Sequence, residues 1–83
     1  MDCDKIGKLI RHLRREKSMT QRQLAQQLGV SDRAVSKWER GAGCPDVSLL
    51  TGLATALSVG VESLLAGDLT DQEARSTMKH AVY

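Results

Sequence analysis

Phenylalanine is missing from these 83 residues, and one tryptophan and one tyrosine are the only aromatic side chains. A core must then be built from Leu, Ile, Val and Ala, which suits helices packed on helices, and a chain this short supports one small domain and no second full one. No stretch approaches the roughly 18 apolar residues of a membrane span, and the N-terminus lacks the apolar segment of a secretory signal. A cytoplasmic chain with no membrane partner is expected. The two cysteines, Cys3 and Cys44, lie far apart and form no Cys-x-x-Cys pair. Metal ligation and redox catalysis are therefore disfavoured, and incidental reduced thiols are expected. His12 and His80 have no acidic or Cys partner at ligand spacing. No Ser-His-Asp set, Cys-His set or phosphate-cradling Gly-rich loop is legible, so neither an enzyme nor a cofactor is expected.

Charge is present but unevenly placed. The net charge is +2, divided as +5 over residues 1–40 and −3 over residues 41–83. A basic half on a small domain is the electrostatic footprint of a nucleic-acid binder.

Residues 20–41, TQRQLAQQLGVSDRAVSKWERG, carry the most information. Thr20 and Gln23 have the spacing of a capping box, with Met19 and Leu24 as its hydrophobic staple, so a short helix starts there. Gly29 can take the left-handed conformation that ends it. Val30 and Val35 then form a second staple around Ser31, whose hydroxyl can cap the next helix. Ala25 is small where the two helices must pass closely, and Val35 can pack against it. Two short helices across a tight turn make a helix-turn-helix. On a wheel of about 100° per residue, Ala34, Val35 and Trp38 share one side of the second helix. Asp32, Arg33, Ser36, Lys37 and Arg40 fall in an arc of roughly 140° opposite them, an edge of donors and positive charge that suits the DNA major groove.

The remaining pattern is also helical. Asp4 is placed to cap a helix running to about Lys17, with Ile6, Leu9, Ile10 and Leu13 on one stripe and Lys5, Lys8, Arg11 and Arg15 outside it. The linker from Gly41 to Pro45 follows the second helix of the motif. Asp46 is placed to cap a fourth helix with Leu50, Leu53, Ala54 and Leu57 on its apolar face. A break at residues 58–60 leads to a short fifth helix carrying Val61, Leu64 and Leu65. Five helices with short connections predict an all-α, compact five-helix bundle. Residues 1–67 form the expected domain. Residues 68–83 read as a tail, or as the start of a truncated C-terminal region, with a further capping box at Thr70 and Glu73 but few apolar anchors. Arg14 and Glu39 each lie about 40° beyond the buried stripe of their helix, which places them to form a partly buried ion pair.

The Thr20-Gln21 start, Leu24-Ala25, Leu28-Gly29-Val30-Ser31, Val35-Ser36 and Trp38-Glu39 followed by Gly41 resemble the DNA-binding motif of the phage Cro and C1 repressor-like, or XRE-type, bacterial regulators. The resemblance extends over residues 5–67 and implies the lambda-repressor-like fold. It implies sequence-specific binding of double-stranded DNA by a transcriptional regulator, a repressor more often than an activator, with the helix Asp32 to Arg40 in the major groove. Arg33 and Lys37 stand where the family's base-reading residues sit, and Arg33 is the first choice because Arg pairs bidentately with guanine. Asp32 is suited equally to a cytosine amino group and to the positive end of its own helix. Ser36 is expected near a base or sugar. Gln21 matches a family Gln that meets a phosphate, and Ser31, Arg40 and Arg11 are expected to add phosphate contacts. The loop after the reading helix brings no Lys or Arg, so only its amides are available there. The family's Arg and Glu at the positions of Arg14 and Glu39 set the angle of the reading helix. Relatives pair two domains on a near-palindromic operator, so a homodimer, at least on DNA, is expected around the fourth and fifth helices. Ser18 and Ser58 stand at turn positions where relatives place Gly, and Gly60 where they place a capping Ser or Thr. An alternative reading is a protein-interaction module, such as an antitoxin or adaptor, using Leu64, Leu65, Leu69 and Met78.

Overall fold

Helix caps set the boundaries of every element in the first half of the chain. The computed structural model describes residues 2–67, in which α1 spans Cys3–Glu16, α2 Gln21–Leu28 and α3 Asp32–Glu39. A 3-10 turn, Val47–Leu49, runs into α4, Leu50–Leu57, and α5 follows at Val61–Ala66. The expected all-helical architecture with five α-helices is observed, and no strand occurs among the described residues. The segment Thr70 to His80, with Leu69 and Met78, lies outside them.

α1 begins two residues earlier than expected. Asp2, not Asp4, is its N-cap, accepting from the amides of Asp4 at 3.1 Å and Lys5 at 3.2 Å. Asp4 instead pairs with Lys8 at 3.2 Å on the exposed surface. Tertiary contact explains the two extra residues: the start of α1 lies against the loop after α3, where a Cβ on Gly41 would stand 2.8 Å from an Asp4 carboxylate oxygen. Packing there favours helix over fraying.

α2 opens with both bonds of the capping box, Gln23 amide to Thr20 Oγ1 at 3.0 Å and Thr20 amide to Gln23 Oε1 at 2.8 Å. Gly29 ends it at φ 69°, and the Val30 amide closes on the Ala25 carbonyl at 3.0 Å. Ser31 Oγ then accepts from the Ala34 amide at 3.2 Å, which starts α3. Asp46 caps the 3-10 turn rather than a fourth α-helix, its Oδ1 accepting from the Ser48 amide at 2.9 Å. Hydrogen bonds from Ser48, the backbone amide foremost, hold the Asp46 carboxyl below the usual carboxylate range. Ser18 and Ser58 adopt φ of 54° and 58°, so the turns keep the left-handed geometry without glycine and tolerate the strain. Gly60 precedes α5 and supplies no side-chain cap.

The core is shared by all five helices. Ile6, Leu9, Ile10 and Leu13 from α1 meet Leu24 and Ala25 from α2, Val35 and Trp38 from α3, Leu53, Ala54 and Leu57 from α4, and Leu64 from α5. Each buried aliphatic side chain contributes roughly 1.5–3 kcal/mol. At Gly7 α1 passes close against α3, since a Cβ there would overlap the Trp38 carbonyl oxygen. A helix-interior glycine usually costs about 1 kcal/mol relative to Ala, so this one is retained for the crossing.

Cys3 and Cys44 are joined as a disulfide, their Cα atoms 5.1 Å apart. The reading as incidental reduced thiols is therefore corrected. The spacing of 41 residues in sequence hid a contact made when the start of α1 packs on the loop after α3.

Candidate nucleic-acid interface

α3 is fastened along one edge and open on the other. Val35, Trp38 and Glu39 are buried, whereas Ser31, Asp32, Arg33, Lys37 and Arg40 are exposed. Ser36 is half-buried, which sets it at the margin of the outward face rather than at its centre. Arg40 is the C-cap of the helix, and its Nε donates to the Ser36 carbonyl at 3.3 Å, which draws the guanidinium back along α3. Arg11 is exposed on α1, about 40° round the wheel from Gly7 and so beside the stripe that faces α3.

The inner edge of α3 is anchored by a charged network. Arg14 Nε donates to Glu39 Oε2 at 2.7 Å and Arg14 Nη2 to Oε1 at 3.0 Å, a two-pronged pair. The third prong, Nη1, donates to the Met19 carbonyl at 2.7 Å. The side chains of Arg14 and Glu39 are only 12% and 3% exposed, so water replaces little of this. Donating to the Glu39 carboxylate raises the Arg14 pKa above its ordinary value. A raised pKa on a cation stabilises the fold below the unfolded value and loses that effect only as pH climbs through the folded one.

Gln21 enters the same network. Its Nε2 donates to Glu39 Oε1 at 3.1 Å, and the side chain is half-buried. The sequence shows Gln21 as a candidate phosphate contact but not this second tie, which needs the α2 to α3 angle to be known. One hydrogen bond from the amide nitrogen leaves its other N–H, and the backbone amide at the start of α2, for another acceptor. Arg14, Glu39 and Gln21 thus link α1, α2 and α3 and fix the attitude of the outward face.

The apolar surface suggested for a protein partner is altered by the packing. Leu64 is fully buried and belongs to the core, so it is not part of such a surface. Leu65 is 44% exposed. Leu69 and Met78 lie outside the described residues.

A short helix tied down by its apolar edge, with acidic, basic and hydroxyl groups along the other, is a shape built to enter a groove. The family model described as Helix-turn-helix matches residues 10–64. The chain belongs to the Cro and C1 repressor-like helix-turn-helix family. This helix-turn-helix domain is 42% identical over 74 residues to the transcriptional activator BcrR of Enterococcus faecalis, an alignment that covers 84% of this chain and 36% of BcrR. It is 32% identical over 80 residues to Repressor protein C2 of Salmonella phage P22, covering 96% of this chain and 37% of C2. Among solved structures, the P22 c2 repressor in complex with a synthetic operator matches with a TM-score of 0.72 at 36% identity, covering 76% of this chain and 96% of that one. The helix-turn-helix chain therefore spans little more than a third of the length of BcrR or C2. No helix among the described residues is long and apolar enough to cross a membrane.

Proposed function

We propose that this domain binds double-stranded DNA in a sequence-specific manner as part of a transcriptional regulator, with α3 in the major groove and repression as the outcome. The carrying observation is the exposure of Asp32, Arg33 and Lys37 on the first two turns of a helix whose opposite edge is buried. Arg33 is assigned to guanine, Lys37 and Asp32 to neighbouring base edges, and Ser36 to a base or sugar at the margin of the contact. Gln21, Ser31, Arg40 and Arg11 are assigned to phosphates on either side. The match to a repressor solved with its operator supports this reading.

Residues 1–67 act as the DNA-binding unit and residues 68–83 as a tail or the start of a further region. Two copies pair on a near-palindromic operator through the surface around α4 and α5. Val47, 72% exposed just before α4, and Leu65 on α5 support that surface as apolar. A cytoplasmic, nucleoid-associated location follows from the DNA-binding role.

Arg33→Ala is expected to lose about 1–3 kcal/mol of discrimination at one or two base pairs while binding to random duplex changes little. Gln21→Ala is expected to weaken binding to all duplexes by a similar factor. Fluorescence anisotropy on operator and random DNA at one salt concentration separates the two. Equal losses on both duplexes for Arg33→Ala would remove it from base reading.

A further inference from the structure

Cys3 opens α1 and Cys44 lies in the stretch after α3, so the disulfide links the start of the domain to the loop that leaves the reading helix. Their Cα separation of 5.1 Å falls in the range of about 4.4–6.8 Å that a disulfide accepts without backbone movement. Both residues are half-buried rather than enclosed in the core. The same two segments are also held by contacts that involve no sulfur: Asp4 against Gly41, Gly7 against Trp38, and Arg14 with Glu39. Opening the bond leaves that packing in place and the thiols side by side. What it frees is Gly43 and Cys44, which have no regular secondary structure.

We propose that Cys3 and Cys44 form a reversible thiol–disulfide couple that sets how tightly the domain holds DNA, with a low-molecular-weight thiol and its disulfide as the reacting pair. This rests on the DNA-binding reading above. In closure, one cysteine thiolate attacks the small disulfide and expels a small thiolate, which takes up a proton. The second cysteine then attacks the resulting mixed disulfide and expels the other small thiolate. The protein gives up two electrons and two protons, and the small disulfide becomes two thiols. Opening runs the same steps in reverse. A cytoplasmic setting keeps such thiols reduced by default, so a pair placed there closes when the oxidant rises.

The coupling to DNA runs through the loop. Gly41, Ala42 and Gly43 bring no charged side chain to a phosphate, so any contact from them is made by backbone amides. The Gly41 amide donates to the Trp38 carbonyl at 3.0 Å and the Ala42 amide to the Lys37 carbonyl at 2.9 Å, which leaves Gly43 as the amide to present. With the disulfide closed, the position of Gly43 is fixed from the Cys44 side before DNA arrives. With it open, that ordering is lost from the free domain and opposes binding.

The test titrates the chain against ratios of reduced and oxidised glutathione. Thiol state is scored by alkylation and mass spectrometry, fold by circular dichroism, and affinity by anisotropy on a selected and a random duplex. Closure is expected to leave the helical signal unchanged and to raise the thermal midpoint by on the order of 10 °C. It is expected to tighten binding to both duplexes by about 3–10-fold. The double variant Cys3→Ser, Cys44→Ser should keep the weaker affinity at every ratio. A pair that stays closed in millimolar reduced glutathione, or stays open in oxidised glutathione, overturns the proposal. So does closure that leaves affinity unchanged or lowers it. Absence of binding to any duplex in either state would defeat the DNA-binding reading and this proposal with it, a result distinct from equal affinities.

Discussion

Replacing Arg14 by alanine is expected to lower the stability of the domain by about 3–5 kcal/mol, the loss typical of leaving one member of a buried ion pair alone. Among the described residues Glu39 would keep only the Gln21 amide as a charge-stabilising donor, with its side chain 3% exposed. The Met19 carbonyl would lose its partner as well. Lysine is a poor substitute because a point charge cannot serve both Glu39 oxygens and the Met19 carbonyl together. The double replacement Arg14→Met, Glu39→Leu should recover most of the loss, since two apolar side chains in such a site leave no charge unpaired. Urea unfolding followed by the fluorescence of Trp38, the single tryptophan and the neighbour of Glu39, reads both variants. A single variant with wild-type stability would show that the pair is energetically idle.

Gly7→Ala is expected to destabilise the fold by about 1–3 kcal/mol or more, against a helix-propensity gain of about 1 kcal/mol. The clash is with the Trp38 backbone, which cannot rotate away as a side chain would. α1 and α3 would have to separate, and Arg14 and Glu39 would separate with them. α3 would then project at a different angle, so DNA affinity is expected to fall even in the fraction that remains folded, if α3 enters the groove as proposed. Thermal unfolding gives the first effect and anisotropy at low temperature the second. A neutral or more stable variant would contradict the close crossing.

Those two residues mark the reach of sequence reasoning from opposite sides. Arg14 and Glu39 border buried stripes on the wheel, so their meeting was visible from local periodicity once two helices were assigned. The capping box at Thr20 and the stop at Gly29 were legible for the same reason, because the bonds that define them span only a few residues. Gly7 gave only the weak signal of a glycine inside a helix, and its purpose depends on which helix crosses there. The sequence pattern pointed to Asp4 as the cap of α1, whereas Asp2 caps it. The loop after α3, packed against the first turn, favours the longer helix, and that is tertiary information. The disulfide is the extreme case, since 41 residues separate its halves and no spacing rule connects them. At the candidate interface, the outward placement of Asp32, Arg33 and Lys37 followed from helical period alone. The tie from Gln21 to Glu39 and the partial burial of Ser36 follow from how α2 and α3 pack, which the period does not contain.

The most direct test of sequence-specific recognition by α3 is selection of bound duplexes from a random pool, run in parallel with the wild-type chain and with the Arg33→Ala variant. The wild type should enrich a near-palindromic site whose half-sites are centred one helical turn, about 34 Å, apart. The variant should enrich the same site with preference relaxed at one or two base pairs in each half. A pool that remains random under the wild-type chain would contradict DNA recognition by this domain. An enriched motif that is identical for both proteins would contradict the assignment of its reading to Arg33.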